Sequence, residues 1–218
     1  MEGSLGIHRE TAGSDGSDLL RGIELLQVRR GYVFIDGGYL RNAILRDLMN
    51  RRDISEDPIL FSTFIRLFGE KYWNSFSDIL VSRILYYDAI IPSDKDPNKH
   101  GQMLKFFNEL RFQLDHFDVK LGDLIPTERG YRQKGVDVLI SVDMTIKAFL
   151  NHYDVAILVA GDRDFVPAVN AVREFTGKTV YCIYAYNHIA EELLRVVDVP
   201  IPVVKTDLDE ISAKIKMK

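Results

Sequence analysis

The chain has 218 residues, of which 46% are hydrophobic and 28% charged, and its net charge is −4. That balance excludes a disordered chain and a uniformly basic nucleic-acid-coating protein, and it suits one packed domain. The single cysteine, Cys182 in the apolar run TVYCIYAY, excludes an internal disulfide and a cysteine-rich zinc site, and reads as a small buried hydrophobe.

Residues 1–18 are rich in Gly, Ser and Asp and read as a flexible tail, and LLRGIELLQ as a short helix docking on the body, so 1–30 precede the domain. No basic region followed by an apolar stretch opens the chain, and the longest clean apolar run, VAILVA, is six residues. Neither a secretory segment nor a membrane span is expected, and a cytoplasmic protein is the default.

GYVFIDGGYL reads as a buried strand that ends at Asp36 and leads into a helix with Leu40, Ile44, Leu45 and Leu48 at helical spacing. A further helix over about 57–72 is opened by Pro58; it belongs to a helical insertion over about 51–80. SRILYYDAI, residues 82–90, is the second strand and carries Asp88 at its end, and PSDKDPNKHG is a polar loop. QMLKFFNELRFQL is an amphipathic helix with Leu104, Phe107, Leu110 and Leu114 along one stripe.

HFDVKLG reads as a short strand towards a sheet edge, IPTERGYRQKG as a basic loop, and VDVLISVDMTIKAFLNH as a helix apolar on most faces and therefore largely buried. DVAILVAGD is a strand, FVPAVNAVREFTG a helix stopped by Gly177, KTVYCIYAY a strand and IAEELLRVVD a helix. VPIPVV is the last strand, its prolines suited to an edge, and 205–218 form a C-terminal tail. Near-continuous apolar strands alternating with helices predict a three-layer α/β/α sandwich around a mostly parallel sheet. In such folds ligands bind outside the carboxyl ends of the strands.

Three of the predicted strands lead into aspartates at that edge: Asp36, Asp88 and Asp162. Asp164 follows in GDRDF, and Asp137 falls in the first turn of the helix after KG. Aspartates at strand-to-helix turns also serve as helix caps, and that reading stands beside the functional one. Asp143 lies about 240° round the helix from Asp137 and ranks below the others, as a second-layer or capping group. Clustered carboxylates without Cys or a His cluster are hard oxygen ligands, which select Mg²⁺ or Mn²⁺ over Zn²⁺ and suit chemistry on phosphates. The five histidines are scattered, and no P-loop, G-x-S-x-G or G-x-G-x-x-G is present.

YVFIDGGYL, YYDAI, KGVDVLISVDM and ILVAGDRDFVPAVNAVREFTGKTVYCI together resemble the NYN domain, in its LabA-like branch of the PIN-like nuclease superfamily, over about 31–204. The resemblance implies a PIN-like fold and metal-dependent ribonuclease activity, with Asp36, Asp137, Asp162 and Asp164 as the catalytic metal-binding acids. Many members carry I-D-G-x-N, where this chain has Tyr39, which puts the fine positioning of a ligand in question. Asp88, Asp143 and Tyr39 are read as supporting groups. Arg129, Tyr131, Arg132 and Lys134, just before Asp137, suit phosphate contacts and base stacking in an RNA strand, or form a solvated surface loop.

The competing readings are a non-catalytic RNA-binding or interaction module, and another D-x-D metal enzyme such as a glycosyltransferase or phosphatase. A phosphatase of the haloacid-dehalogenase type wants D-x-D-x-T after its first strand, where this chain has D-G-G-Y. RNA against DNA, endo- against exonucleolytic action, and assembly as a homo-oligomer are left open.

Overall fold

Alternation of apolar strands and helices sets the architecture of the computed structural model, which describes residues 28–128 and 130–216. The tail and short helix expected before residue 28, and Arg129, lie outside the described residues. Strand β1 (Arg29–Asp36) runs into helix α1, which starts over Gly37–Tyr39 and continues over Leu40–Leu48. Wide turns close this second part, as in the bond from Met49 N–H to Ile44 C=O at 3.0 Å. After a short 3₁₀ turn come α2 (Pro58–Tyr72), β2 (Ile79–Ile90), α3 (Pro97–Gln113), β3 (Phe117–Thr127) and β4 (Gly130–Lys134). The second half contributes α4 (Val136–Phe149), β5 (Val155–Val159), α5 (Val166–Thr176), β6 (Thr179–Ala185), α6 (Glu191–Val196), β7 (Val199–Val203) and α7 (Lys205–Lys216).

The seven strands form one sheet in the order β4-β3-β2-β1-β5-β6-β7. All neighbours pair in parallel except β3 with β4. The central strands β5 and β6 are buried almost throughout because they are covered on both faces. Val33 and Ile35 of β1 face a core shared with α1, α2, α3 and α7, while Phe34 faces a second core with α4, α5 and α6. These are the three layers the alternation predicts. The chain steps from β1 to β2 and β3 on one side, then returns to place β5 on the other side of β1. That reversal between β1 and β5 opens a crevice at their carboxyl ends.

Several local expectations need correction. The basic segment before Asp137 is a hairpin and not a loop: Thr127 pairs with Gly130, and Asp123 with Lys134. β3 is accordingly 11 residues long, and the sheet edge passes to β4. Gly122 of β3 admits that pairing, since a Cβ there would sit 2.6 Å from the Lys134 carbonyl oxygen. Helix α4 is not largely buried. Val136, Ile140, Met144 and Ala148 enter the core, while Val138, Val142, Ile146 and Phe149 form an exposed stripe at helical spacing. Residues from 205 form a helix and not a tail, because Leu208, Ile211 and Ile215 share one face that closes the first core. The prolines of VPIPVV do mark an edge, as β7 is the terminal strand.

Leu208 is fully buried. Leu208→Ala should lower unfolding stability by about 2–5 kcal/mol, measured by urea denaturation. A surface-like loss below about 0.5 kcal/mol would show that α7 is not part of the cooperative fold.

Candidate active site

Two of the predicted acids, Asp36 and Asp162, line the crevice at the β1/β5 reversal, Asp137 and Asp164 lie in depressions beside it, and each arrives by a local rule. Asp36 ends β1, and its Oδ1 accepts the Tyr39 N–H at 3.0 Å, which starts α1. Asp162 lies just beyond β5 and accepts the Asp164 N–H at 3.0 Å, which starts a 3₁₀ turn over Arg163–Phe165. The capping reading is therefore correct for Asp36 and Asp162. It does not exhaust them, because each bond occupies one oxygen of a carboxylate that has two. Asp137 sits in the first turn of α4, whose preceding Gly135 holds φ +83°. Gly135 has no side chain to strain in that left-handed conformation.

Asp36 and Asp162 line a cleft of about 520 Å³, together with Gly38, Tyr39 and Gln133. Asp137 lines an adjoining depression with Arg132 and Lys134, and Asp164 another with Pro167 and Glu192. The carboxylates nonetheless sense one another. Burial pushes Asp36 up to about 6, with the nearby Asp137 charge adding to it against the Tyr39 and Gly38 N–H bonds. Asp137 is also raised, first by burial and then by Asp162 and Asp164. Among the described residues, no three His, Cys, Asp or Glu side chains already stand close enough to hold a metal ion.

The glycines around this crevice are required by close approach. A Cβ on Gly161 would collide with the His188 carbonyl oxygen and come within 2.5 Å of the Tyr39 ring. The loop after β6 thus lies directly over the segment that leads into Asp162, pinned by the Ala190 N–H to Gly161 C=O bond at 2.9 Å. Tyr39, which stands where the family pattern has asparagine, is used in packing. Its ring covers Gly161, and its hydroxyl accepts the Ala185 N–H at 2.8 Å.

Two acids of the expected supporting set are committed elsewhere. Asp88 is fully buried within β2 and not at its end, since the strand continues to Ile90. Both its oxygens bind the Arg41 guanidinium, and it also accepts from Tyr86 Oη (2.7 Å), Gln133 Nε2 (3.1 Å) and the Ala89 N–H (2.7 Å). Asp143 accepts the Tyr87 hydroxyl at 2.8 Å and pairs with Lys120, on the inner side of α4. Of the hairpin residues, Arg132 and Lys134 are exposed beside Asp137, while Lys99 Nζ lies 4.8 Å from the Tyr131 ring centroid. Sequence reasoning missed Gln133, Asn42, Arg46 and His188 as lining groups. The spacing Tyr39, Asn42, Arg46 on one helical face was the available signal. His188 had none, because only the loop over Gly161 brings it here.

A sequence profile of the NYN domain matches residues 30–207. No curated protein matches the chain. Among solved structures, the chain is similar to a protein of unknown function from Vibrio parahaemolyticus, with 18% identity and a TM-score of 0.55 over 82% of this chain and 94% of that one. A UDP-N-acetylglucosamine 2-epimerase described as such provisionally, from Listeria monocytogenes, aligns at 12% identity and a TM-score of 0.33, covering 84% of this chain and 42% of that one. The first likeness concerns the fold alone, and the second carries no argument.

Asp36 contributes to how stability depends on pH when no cation is present. Below the ordinary carboxyl value of 3.8 both folded and unfolded chains hold the proton, and the residue costs nothing. Between there and about 6 the folded protein retains a proton the unfolded chain has lost, so stability falls as pH rises. In EDTA, Asp36→Asn should therefore exceed wild type at pH 8, by at most about 2–3 kcal/mol, with the gap closing towards pH 4. Urea titrations across that range test it; a gap independent of pH would mean that Asp36 does not titrate abnormally. Separately, Arg41→Ala leaves Asp88 buried and unpaired and should cost about 3–5 kcal/mol at pH 7, readable in the same denaturation assay.

Proposed function

The chain belongs to the NYN-domain family, part of the PIN-like nuclease superfamily, and from that premise we propose that it is a divalent-metal-dependent ribonuclease, acting endonucleolytically on RNA. The observation that carries the reading is that Asp36 and Asp162 share one cleft with Asp137 and Asp164 in adjoining depressions, where burial and neighbouring carboxylates raise the proton affinity of Asp36 and Asp137. A site that holds negative charge at such cost calls for a cation. The finer placement in the LabA-like branch rests on KGVDV and GDRDF.

The donor set fits a hard ion: four aspartates, with no thiol or imidazole among them. Asp36, Asp137, Asp162 and Asp164 would hold Mg²⁺ or Mn²⁺, which supplies Lewis-acid stabilisation of the charge that develops on the phosphate. The chain's own groups do the rest. Arg132 and Lys134 on β4 offer phosphate contacts next to Asp137. Gln133, held by Asp88, keeps the hairpin against the cleft that Asp36 and Asp162 line. The cap bonds of Asp36 and Asp162 fix both carboxylates in place before any substrate arrives.

A second reading, an RNA-binding module that does not cleave, draws on the spacing of the acids, none of which form a ready group of three. One experiment separates the two. Labelled RNA and DNA oligonucleotides are incubated with the protein in Mg²⁺, Mn²⁺ or EDTA, alongside Asp162→Asn. RNA cleavage should require the metal and be lost, by about 100-fold or more, in Asp162→Asn while the melting temperature holds. Full activity in Asp162→Asn sinks the site assignment, and binding without cleavage in every condition favours the module.

A further inference from the structure

The cleft that holds Asp36 and Asp162 continues past them to a wall with the opposite charge. Arg46 from α1, Arg163 from the D-R-D turn and His188 from the loop after β6 line it, with Asn42 beside them. Three distant parts of the chain thus meet on one surface.

The wall is held in place. Arg46 donates from Nε and Nη2 to Asp47, at 2.6 and 3.1 Å, and from Nη1 to Asn42 Oδ1 at 2.8 Å. His188 Nε2 lies 3.4 Å from the same Asp47 carboxylate. The His188 N–H bonds the Ala185 carbonyl at 2.8 Å, and the loop that carries it is fastened to Gly161. Asp47 therefore holds Arg46 in place, with the His188 imidazole close by. Arg163 differs: although Asp162 and Asp164 flank it, its guanidinium makes no hydrogen bond or ion pair with a described residue. It is exposed at the cleft, with its donors unspent.

The Asp47 carboxylate is taken up by Arg46, so among the described residues of this lining the Arg163 guanidinium stands without a partner, beside the carboxylates of Asp36 and Asp162. A metal ion has no place on such a wall. A phosphate does, because a guanidinium offers a planar fork of donors matched to its oxygens. We propose that Arg163, Arg46 and His188 form a phosphate subsite that holds the backbone phosphate next to the one being cleaved. The strand then crosses from Arg132 and Lys134 on the hairpin, over the carboxylates, to this wall. This rests on the ribonuclease reading and adds to it the path of the substrate and the residues that grip its second phosphate.

The test compares substrates of two lengths in Mg²⁺. A 12-nucleotide single-stranded RNA has phosphates on both sides of a scissile bond, and a dinucleotide without terminal phosphate has only the scissile one. Arg163→Ala should raise KM about tenfold on the 12-mer with kcat little changed, and leave the dinucleotide unaffected. Arg163→Lys should restore part of the loss, since a point charge replaces a fork. On the 12-mer in EDTA, fluorescence anisotropy should show the slope of log K against log salt reduced by about 0.7. Arg163 is exposed, so its replacement should leave the melting temperature unchanged. An unchanged KM on the 12-mer, with active wild type, overturns the subsite alone. Equal losses on both substrates place Arg163 on the scissile phosphate and also overturn it. A wild type that neither binds nor cleaves RNA overturns the ribonuclease reading and the subsite together.

Discussion

A carboxylate with no solvent exposure, Asp88, ties together the elements that frame the site. An isolated buried charge is too costly to keep, so each of its oxygens is spoken for. Arg41 comes from α1, Gln133 from β4, and Tyr86 and the Ala89 N–H from β2 itself. The same set of bonds therefore presses α1 and the hairpin against the middle of the sheet. α1 follows directly from Asp36, and α4 with Asp137 follows directly from the hairpin. The separation of two proposed ligands thus depends on an aspartate that binds neither metal nor substrate.

Around that clamp the protein arranges charge in alternating zones. Arg132 and Lys134 flank Asp137, while Asp36 and Asp162 line a crevice shared with Arg163 and with Arg46, which pairs with Asp47. An acidic chain can hold a polyanion in this way without an overall positive field, because charges beyond about 8–10 Å are largely screened at physiological salt. The cost appears where the carboxylates crowd. Burial and neighbouring charge oppose ionisation of Asp36 and Asp137, while the N–H groups at the start of α1 work the other way for Asp36. Repulsion of this kind at a crevice is typical of sites that bind or react.

Close approach is the second theme. Gly37 lies under Tyr86, with a Cβ there only 2.5 Å from its hydroxyl oxygen, and Gly38 lies under the Gln133 amide at 2.7 Å. Gly161 lies under the loop that carries His188. Each glycine lets a second segment reach the crevice, which is how residues far apart in sequence come to share it. Tyr39 belongs to this packing. In taking the place of the family's asparagine it exchanges a polar group in the cleft for a contact between α1 and the end of β6.

Periodicity and strand composition alone determined the layered α/β architecture, the terminal place of VPIPVV, and the position of Asp36 and Asp162 at the carboxyl ends of the neighbouring strands β1 and β5. The reason is that each of these depends on local pattern: apolar runs demand cover on both faces, and parallel strands put their carboxyl ends on one edge. What became of Asp88, Asp143, the basic segment and α4 depended on partners brought by the fold. Asp88 looks like Asp36 in sequence, yet one more turn of pairing in β2 buries it beside Arg41. The basic segment pairs with β3 because that edge would otherwise be open, and α4 exposes Val142 and Ile146 because the described elements cover only its inner face. His188 reaches the cleft only through the loop over Gly161. Local sequence sets which way a residue points along its own element; the energy of burying or pairing its side chain is set by what packs opposite, and that only the tertiary structure decides.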